Sequence, residues 1–189
     1  MNLFRKSLML LVPVALLAGA CKKEVENPLP SDPNEAITTA TLTLTNKATP
    51  AESITATIDN LNTSADFSKA TLNLRANATY AGVVTLLNKT KTPTLDVSNE
   101  VKGEANEHLF VYTFTPATGS PASMTVTSMD RDTNPAPGPY PIGLTTEIKT
   151  GAAGTGKLKL VLKHQPTTKN GTSAPGTTDL DTDFSVLVN

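Results

Sequence analysis

The sequence contains no tryptophan, a single cysteine and few aromatic residues, which make up 4% of its 189 positions. Because Cys21 is the only cysteine, no disulfide can form within one chain, and stability must come from the folded core. The 16 Lys and Arg residues are balanced by 17 Asp and Glu residues, so there is no basic excess of the kind that binds nucleic acid. Two histidines, and no G-x-S-x-G, H-E-x-x-H or phosphate-binding glycine loop, predict a protein that is not an enzyme.

Residues 1–20 have the features of a secretory signal peptide. Arg5 and Lys6 form a basic start, residues 8–17 are apolar apart from one proline, and residues 18–20 are small. An apolar run of this length suits a cleaved signal, whereas a membrane-spanning helix needs about 20 apolar residues. The simplest alternative is an ordinary signal peptide cut near Ala20, which would leave Cys21 as a free thiol.

The stretch LLAGACKK, at residues 16–23, resembles a bacterial lipobox. The resemblance implies that Cys21 becomes the first residue of the mature chain and carries a diacylglyceryl group with a further acyl chain such as palmitate. Two or more acyl chains give stable membrane anchoring. Lys22 stands where aspartate would retain a lipoprotein in the inner membrane, so the expected location is the outer membrane, with the periplasmic or surface face left open.

Residues 21–36 predict a flexible tether behind the lipid anchor. The segment KKEVENPLPSDPNEA is charged, rich in proline and without hydrophobic periodicity. Such a composition does not bury enough apolar surface to fold alone. An ordered edge strand packed on the following domain is the alternative.

Residues 37–189 predict an all-β domain, an immunoglobulin-like antiparallel β-sandwich of about nine short strands. Apolar and polar residues alternate in nine runs separated by turn residues, as in the strands of a sandwich. The runs at 144–150 and 157–164 suggest an antiparallel hairpin across a glycine-rich connection. Residues 89–107 fit a short helix, with Ser98 as a candidate cap, or a long acidic loop.

Asp130, Asp132 and Asn134 form the candidate metal site, since the spacing D-x-D-x-N can direct alternate oxygen atoms at a calcium ion. Pro135 and Pro141 stand where an EF-hand needs glycine and glutamate. A loop-type structural Ca²⁺ site is therefore one interpretation, and a solvated turn is the other. No further cofactor is expected.

Two other clusters of ionisable residues are candidate sites. On a regular strand, Asp179, Asp181 and Asp183 would share one face, where they would bind a cation or be solvated. If residues 100–108 were helical, a second cluster would group Glu100, Glu104 and Glu107 with His108. A zinc site usually needs three or four nitrogen or sulfur ligands, and His164 is the only other histidine.

The chain resembles a set of Bacteroidota outer-membrane lipoproteins to which no activity is assigned. The resemblance is carried by DVSNEVKGEANEHLFVYTFTP at 96–116, PIGLTTEIKTGAAGTGKLKLVLKHQP at 141–166 and KNGTSAPGTTDLDTDFSV at 169–186. No function follows from this resemblance. The anchor, the tether and a sandwich without a catalytic constellation predict a lipid-anchored, non-catalytic binding or structural module at the cell envelope. A glycan- or small-ligand-binding lipoprotein of a nutrient-uptake system is the alternative, with Tyr140 as the one aromatic side chain available to a sugar.

Overall fold

The computed structural model describes residues 36–189, which form an all-β sandwich of two sheets, as the sequence predicts. The predicted signal peptide, Cys21 and residues 21–35 of the predicted tether lie outside the described residues. The strands are β1 (Thr39–Asn46), β2 (Ser53–Asp59), β3 (Asp66–Lys69), β4 (Thr71–Leu74), β5 (Thr79–Asn88), β6 (Leu95–Asp96), β7 (His108–Pro116), β8 (Met124–Ser128), β9 (Thr145–Thr150), β10 (Gly154–His164) and β11 (Thr177–Val188). One helix, α1 (Val97–Gly103), interrupts them in this part of the chain.

The larger sheet has the order β3-β2-β1-β5-β9-β8, with the two-residue strand β6 paired to β5. Its neighbouring strands are antiparallel. In β1, Ala40, Leu42 and Leu44 are fully buried, while the intervening threonines lie on the outer face and pair with threonines of β2. This alternation is the period-two pattern of a half-buried strand.

The smaller sheet has the order β4-β11-β10-β7 and contains a parallel pair. β4 runs parallel to β11, with Leu72 beside Val186. The predicted sandwich is therefore antiparallel except at this edge. The chain crosses from β3 in the larger sheet through Ala70 to β4, which pairs with the last strand of the domain. The apolar pattern of β4 or β11 does not show whether the two strands run parallel or antiparallel.

The predicted hairpin between residues 144–150 and 157–164 is wrong. β9 pairs with β5 and β8 in the larger sheet, whereas β10 pairs with β7 and β11 in the smaller one. The connection at residues 151–153 therefore carries the chain from one sheet to the other. Both strands present one apolar face to the same core, a pattern that a hairpin and a crossing between sheets share.

The core between the two sheets includes apolar side chains from both of them. Its largest fully buried members come from β1, β2, β4, β5, β9, β10 and β11 and from the segment before β1. They are Ile37, Leu42, Leu44, Ile58, Leu72, Leu74, Tyr80, Leu86, Ile148, Leu158, Leu160 and Phe184.

Helix α1 covers one end of this core with Val97 and Val101. Its N-cap is Asp96, whose carboxylate accepts a hydrogen bond from the Ser98 backbone N–H at 3.0 Å. Ser98, the predicted cap, instead accepts the backbone N–H of Leu86 in β5 through its hydroxyl oxygen. No helix among residues 36–189 is long and apolar enough to cross a membrane.

Candidate functional site

Two histidines meet at the end of the smaller sheet. His108 begins β7 and His164 ends β10, and the antiparallel register places them directly opposite each other. Their rings are stacked, with centroids 4.7 Å apart and planes 8° from parallel. The Gln165 N–H donates to the Glu107 carbonyl just beyond the pair. The histidines are thus a non-hydrogen-bonded pair, the kind in which side chains approach most closely.

Two carboxylates from the turn between α1 and β7 flank this pair. Glu104 is the C-cap of α1, and its carboxylate lies 3.9 Å from His108 Nδ1. The same nitrogen lies 3.2 Å from the Glu104 carbonyl oxygen. Glu107 places a carboxylate oxygen 3.4 Å from His164 Nε2. Each ring therefore has an acidic side chain within reach.

Asp179 lies behind His108, inside the protein. A register shift between β10 and β11 at Leu162 and Lys163 breaks the alternation of β11, as a β-bulge does. Asp179 is therefore buried while Asp181 stays on the outer face. Asp179 Oδ2 is 4.0 Å from His108 Nε2 and has no hydrogen-bond partner among the described residues.

Burial sets the protonation of this region. It lowers the pKa of His108 to about 4 and raises the pKa of the Asp179 carboxyl group. His108 is 1% exposed, and its neutral ring is favoured at pH 7 because an apolar environment disfavours the charged form. The ring borders a small cavity of about 10 Å³, which Ile37, Val97, Leu162 and Asp179 also line, room for about one water molecule.

The predicted calcium residues occupy a neighbouring loop, where protein groups already surround their oxygens. Asp130 accepts the backbone N–H groups of Gly143 and Leu144 at 2.8 and 3.1 Å. Asn134 donates its side-chain amide to Asp132 and to the Asn106 carbonyl. The calcium site stays a prediction, and these hydrogen bonds already engage oxygens that a calcium ion would need.

Asp132 forms a buried ion pair with Lys169. The Lys169 ammonium lies 2.9 Å from the Asp132 carboxylate and 2.8 Å from the Ala105 carbonyl oxygen, and both side chains are at most 1% exposed. Burial would raise the pKa of Asp132, but hydrogen bonds from Lys169 and Asn134 outweigh it and hold that pKa below its usual value. Burial lowers the pKa of Lys169. The ammonium thus stands beside Asp132, where a calcium ion would have to bind.

Of the other predicted residues, Glu100 lines the small cavity beside His108, whereas Asp181, Asp183 and Tyr140 lie apart from the histidine pair. Asp181 and Asp183 face outward and form ion pairs with Lys159, so the three aspartates of β11 do not share a face. Tyr140 is partly buried, and its ring lies against the backbone of Gly171.

Glu104 and His108 lie close together, as the predicted helix face would have placed them. His164 and Asp179 lie beside them. The helix ends at Gly103, so the two residues do not lie on one continuous helix. The turn after α1 and the start of β7 place the Glu104 and His108 side chains side by side. In the sequence, the only sign that the two histidines could meet was that His108 begins a predicted strand and His164 ends another. The pairing of those two strands could not be read from one sequence.

In the comparisons with protein-family models, curated proteins and solved structures, no match to this chain was found. Its function must therefore be argued from its own residues.

Proposed function

We propose that the protein is a membrane-anchored lipoprotein of the cell envelope whose β-sandwich is a non-catalytic binding or structural module. The observation that carries the proposal is the stretch from Leu16 to Lys23, in which the single cysteine follows three small residues at the end of a short apolar run. Lys22 favours the outer membrane. The acylated Cys21 supplies the attachment, and the sandwich supplies the surface that meets a partner.

The chain length between anchor and domain limits how far the domain can lie from the membrane. β1 begins at Thr39, so fewer than twenty residues separate it from Cys21. A fully extended chain of this length reaches at most about 60 Å, at roughly 3.3–3.6 Å per residue. The first strand of the sandwich must therefore lie within about 60 Å of the membrane that holds the lipid.

The anchor is tested with Cys21→Ser in cells fed an alkyne-labelled palmitate. Wild type should incorporate the label and fractionate with the outer membrane, whereas Cys21→Ser should lose the label and leave the membrane fraction with its domain still folded. Lys22→Asp is the matched control, because it should keep the label and change only the membrane in which the protein is found. An unlabelled Cys21→Ser protein that remained membrane-bound would refute the proposal.

A glycan- or small-ligand-binding lipoprotein is the second candidate. A shallow groove on the smaller sheet favours it, since its lining includes Thr71, Thr115, Lys157 and Ser185, which offer hydroxyl and ammonium donors. No aromatic side chain is among its lining residues, and Tyr140 lies in another loop. Glycan-array binding by wild type that Lys157→Ala abolishes and Tyr140→Ala leaves unchanged would support this candidate, and an array without signal would count against it.

A further inference from the structure

We propose that Glu104, His108 and His164 bind one divalent transition-metal ion of the zinc type. Each of these residues offers one ligand atom, and the three atoms lie within 4.8 Å of one another. The inference does not rest on the lipid anchor, because it concerns only residues of the folded domain.

The donor set selects the class of metal. Two imidazole nitrogens and one carboxylate oxygen suit zinc, copper and nickel, whereas calcium and magnesium prefer oxygen ligands alone. Two histidines and a glutamate, with the fourth position open to water, are one of the ligand sets found for zinc. The candidate calcium residues Asp130 and Asp132 offer only oxygens and hold their own loop together, so they are separate from this site.

Metal binding requires His164 to turn out of the ring stack, because two parallel imidazole rings cannot both direct a nitrogen lone pair at one ion. Zinc binds imidazole nitrogen and carboxylate oxygen at about 2.0–2.2 Å, so ligand atoms around one ion lie roughly 3–4 Å apart. The Glu104 side chain is 54% exposed and can rotate, whereas His108 is held in the core. The buried ring supplies a fixed ligand, and the mobile carboxylate can close on the ion from the solvent side.

Asp179 is the independent observation that points to a ligand. Its buried Oδ2 atom lacks a hydrogen bond among the described residues and faces His108 Nε2 at 4.0 Å. When a metal binds Nδ1, the ring proton resides on Nε2 and is directed at this oxygen. Metal-binding histidines usually donate their other N–H to a carboxylate, which fixes the tautomer and the ring orientation. The pair His108–Asp179 has the composition and placement for that role.

The metal-free pair is less well matched. The short contact between His108 Nδ1 and the Glu104 carbonyl oxygen places the proton of the neutral ring on Nδ1. Nε2 of this tautomer carries no proton, and it lies 4.0 Å from Asp179 Oδ2, beyond hydrogen-bond distance. Metal binding at Nδ1 moves the ring proton to Nε2, which then faces Asp179 Oδ2 as a donor.

The charges around the site also suit a cation. Glu104 and Glu107 lie on the solvent side and Asp179 on the buried side. Two lysines lie near the site. Lys169 acts on His108 and is already balanced by Asp132 at 2.9 Å. Lys163 acts on Asp179, and its ammonium donates to Thr178. Glu104 and Glu107 therefore make the solvent side of the site negative.

The test is a titration of the full-length protein with Zn²⁺ by isothermal calorimetry, paired with the visible absorption of bound Co²⁺. We expect one Zn²⁺ per chain and a Co²⁺ spectrum of low-coordinate geometry. Glu104→Gln and His164→Gln should each weaken Zn²⁺ binding at least about tenfold, and Asp179→Asn should weaken it about 10- to 100-fold. Asp66→Asn, which changes an exposed carboxylate on β3 of the other sheet, should bind as wild type does.

Circular dichroism of each metal-free variant separates loss of the site from loss of the fold. If Asp179→Asn fails to fold, the two partly exposed positions, Glu104 and His164, decide the question. Absence of saturable binding by wild type would overturn the proposal. Binding that Glu104→Gln and His164→Gln leave unchanged would overturn it as well, because the ion would then be held elsewhere on the surface.

Discussion

At the scale of the single residue, Lys169 joins three parts of the chain. It lies in the loop between β10 and β11, and its ammonium contacts Asp132 in the loop before β9 and the Ala105 carbonyl in the turn before β7. A buried ion pair adds little net stability compared with an apolar replacement of both partners, but removing one partner leaves an uncompensated charge. The pair is therefore a point at which one substitution should have a large effect.

Lys169→Met should lower the free energy of unfolding by about 3 kcal/mol at pH 7, because it keeps the apolar stem and leaves the Asp132 charge buried. The double variant Asp132→Asn with Lys169→Met should lose less than the sum of the two single variants. Urea denaturation of all four proteins measures this coupling. Strictly additive losses would show that the two side chains act independently.

The difference between wild type and Lys169→Met should depend on pH. The pKa of Asp132 is held below its usual value of 3.8 in the native protein, so the pair stabilises the fold above that pH and loses its contribution as the pH falls through the lower, native pKa. Without the ammonium, burial raises the pKa of Asp132, and protonation relieves the variant. The urea midpoints of wild type and Lys169→Met should therefore lie closer together at pH 3 than at pH 7.

At the scale of the element, α1 is a short helix that depends on its cap and on its packing. Seven residues are too few for a helix to be stable alone, and Val97 and Val101 fix it to the core. Asp96 satisfies the Ser98 N–H and also accepts the side-chain amide of Asn99. This helix carries Glu104 at its C-terminal end, so the cap also positions a ligand of the proposed metal site.

Asp96→Ala should lower the free energy of unfolding by about 1 kcal/mol, the usual cost of losing an N-cap side chain. Asp96→Asn should retain most of this stability, because the amide oxygen can accept the same Ser98 N–H. Thermal unfolding of both variants measures the effect. Equal losses in the two would attribute it to the negative charge rather than to the capping hydrogen bond.

The strands were predictable where one face is buried and one is exposed. The alternation in β1 and β5 marked both strands and their core residues. β3 gave no such signal, because all four of its residues are exposed, and the two-residue strand β6 is too short to show any period. Strand partners, the direction of β4 and the bulge that buries Asp179 depend on contacts between distant segments. Local periodicity does not encode these contacts, so the grouping of His108, His164 and Asp179 could not be predicted.

At the scale of the whole molecule, β11 holds the smaller sheet together. It lies between β4 and β10 and contributes Leu180, Phe184, Val186 and Val188 to the core. The smaller sheet without β11 would be split, and the apolar face of the larger sheet would lose much of its cover.

A chain that ends at residue 176 should therefore fail to fold, which loss of the β-sheet signal in far-ultraviolet circular dichroism would show. Ser185→Thr, at an exposed position of β11, should fold as wild type does because a β-branched residue suits a strand. A truncated chain with a cooperative unfolding transition would show that the larger sheet is stable without this cover.

The parallel pairing of β4 with β11 also has a consequence for the order of folding. Ser185 pairs with Thr71, so one edge of the smaller sheet joins segments that are far apart along the chain. Contacts of this kind have a high contact order and slow the search for the native state, because a long loop must close before they form. A chain emerging from the ribosome cannot complete this sheet until β11 is free. Until then the apolar faces of the earlier strands have no permanent cover, and the protein remains in a state that a chaperone can bind.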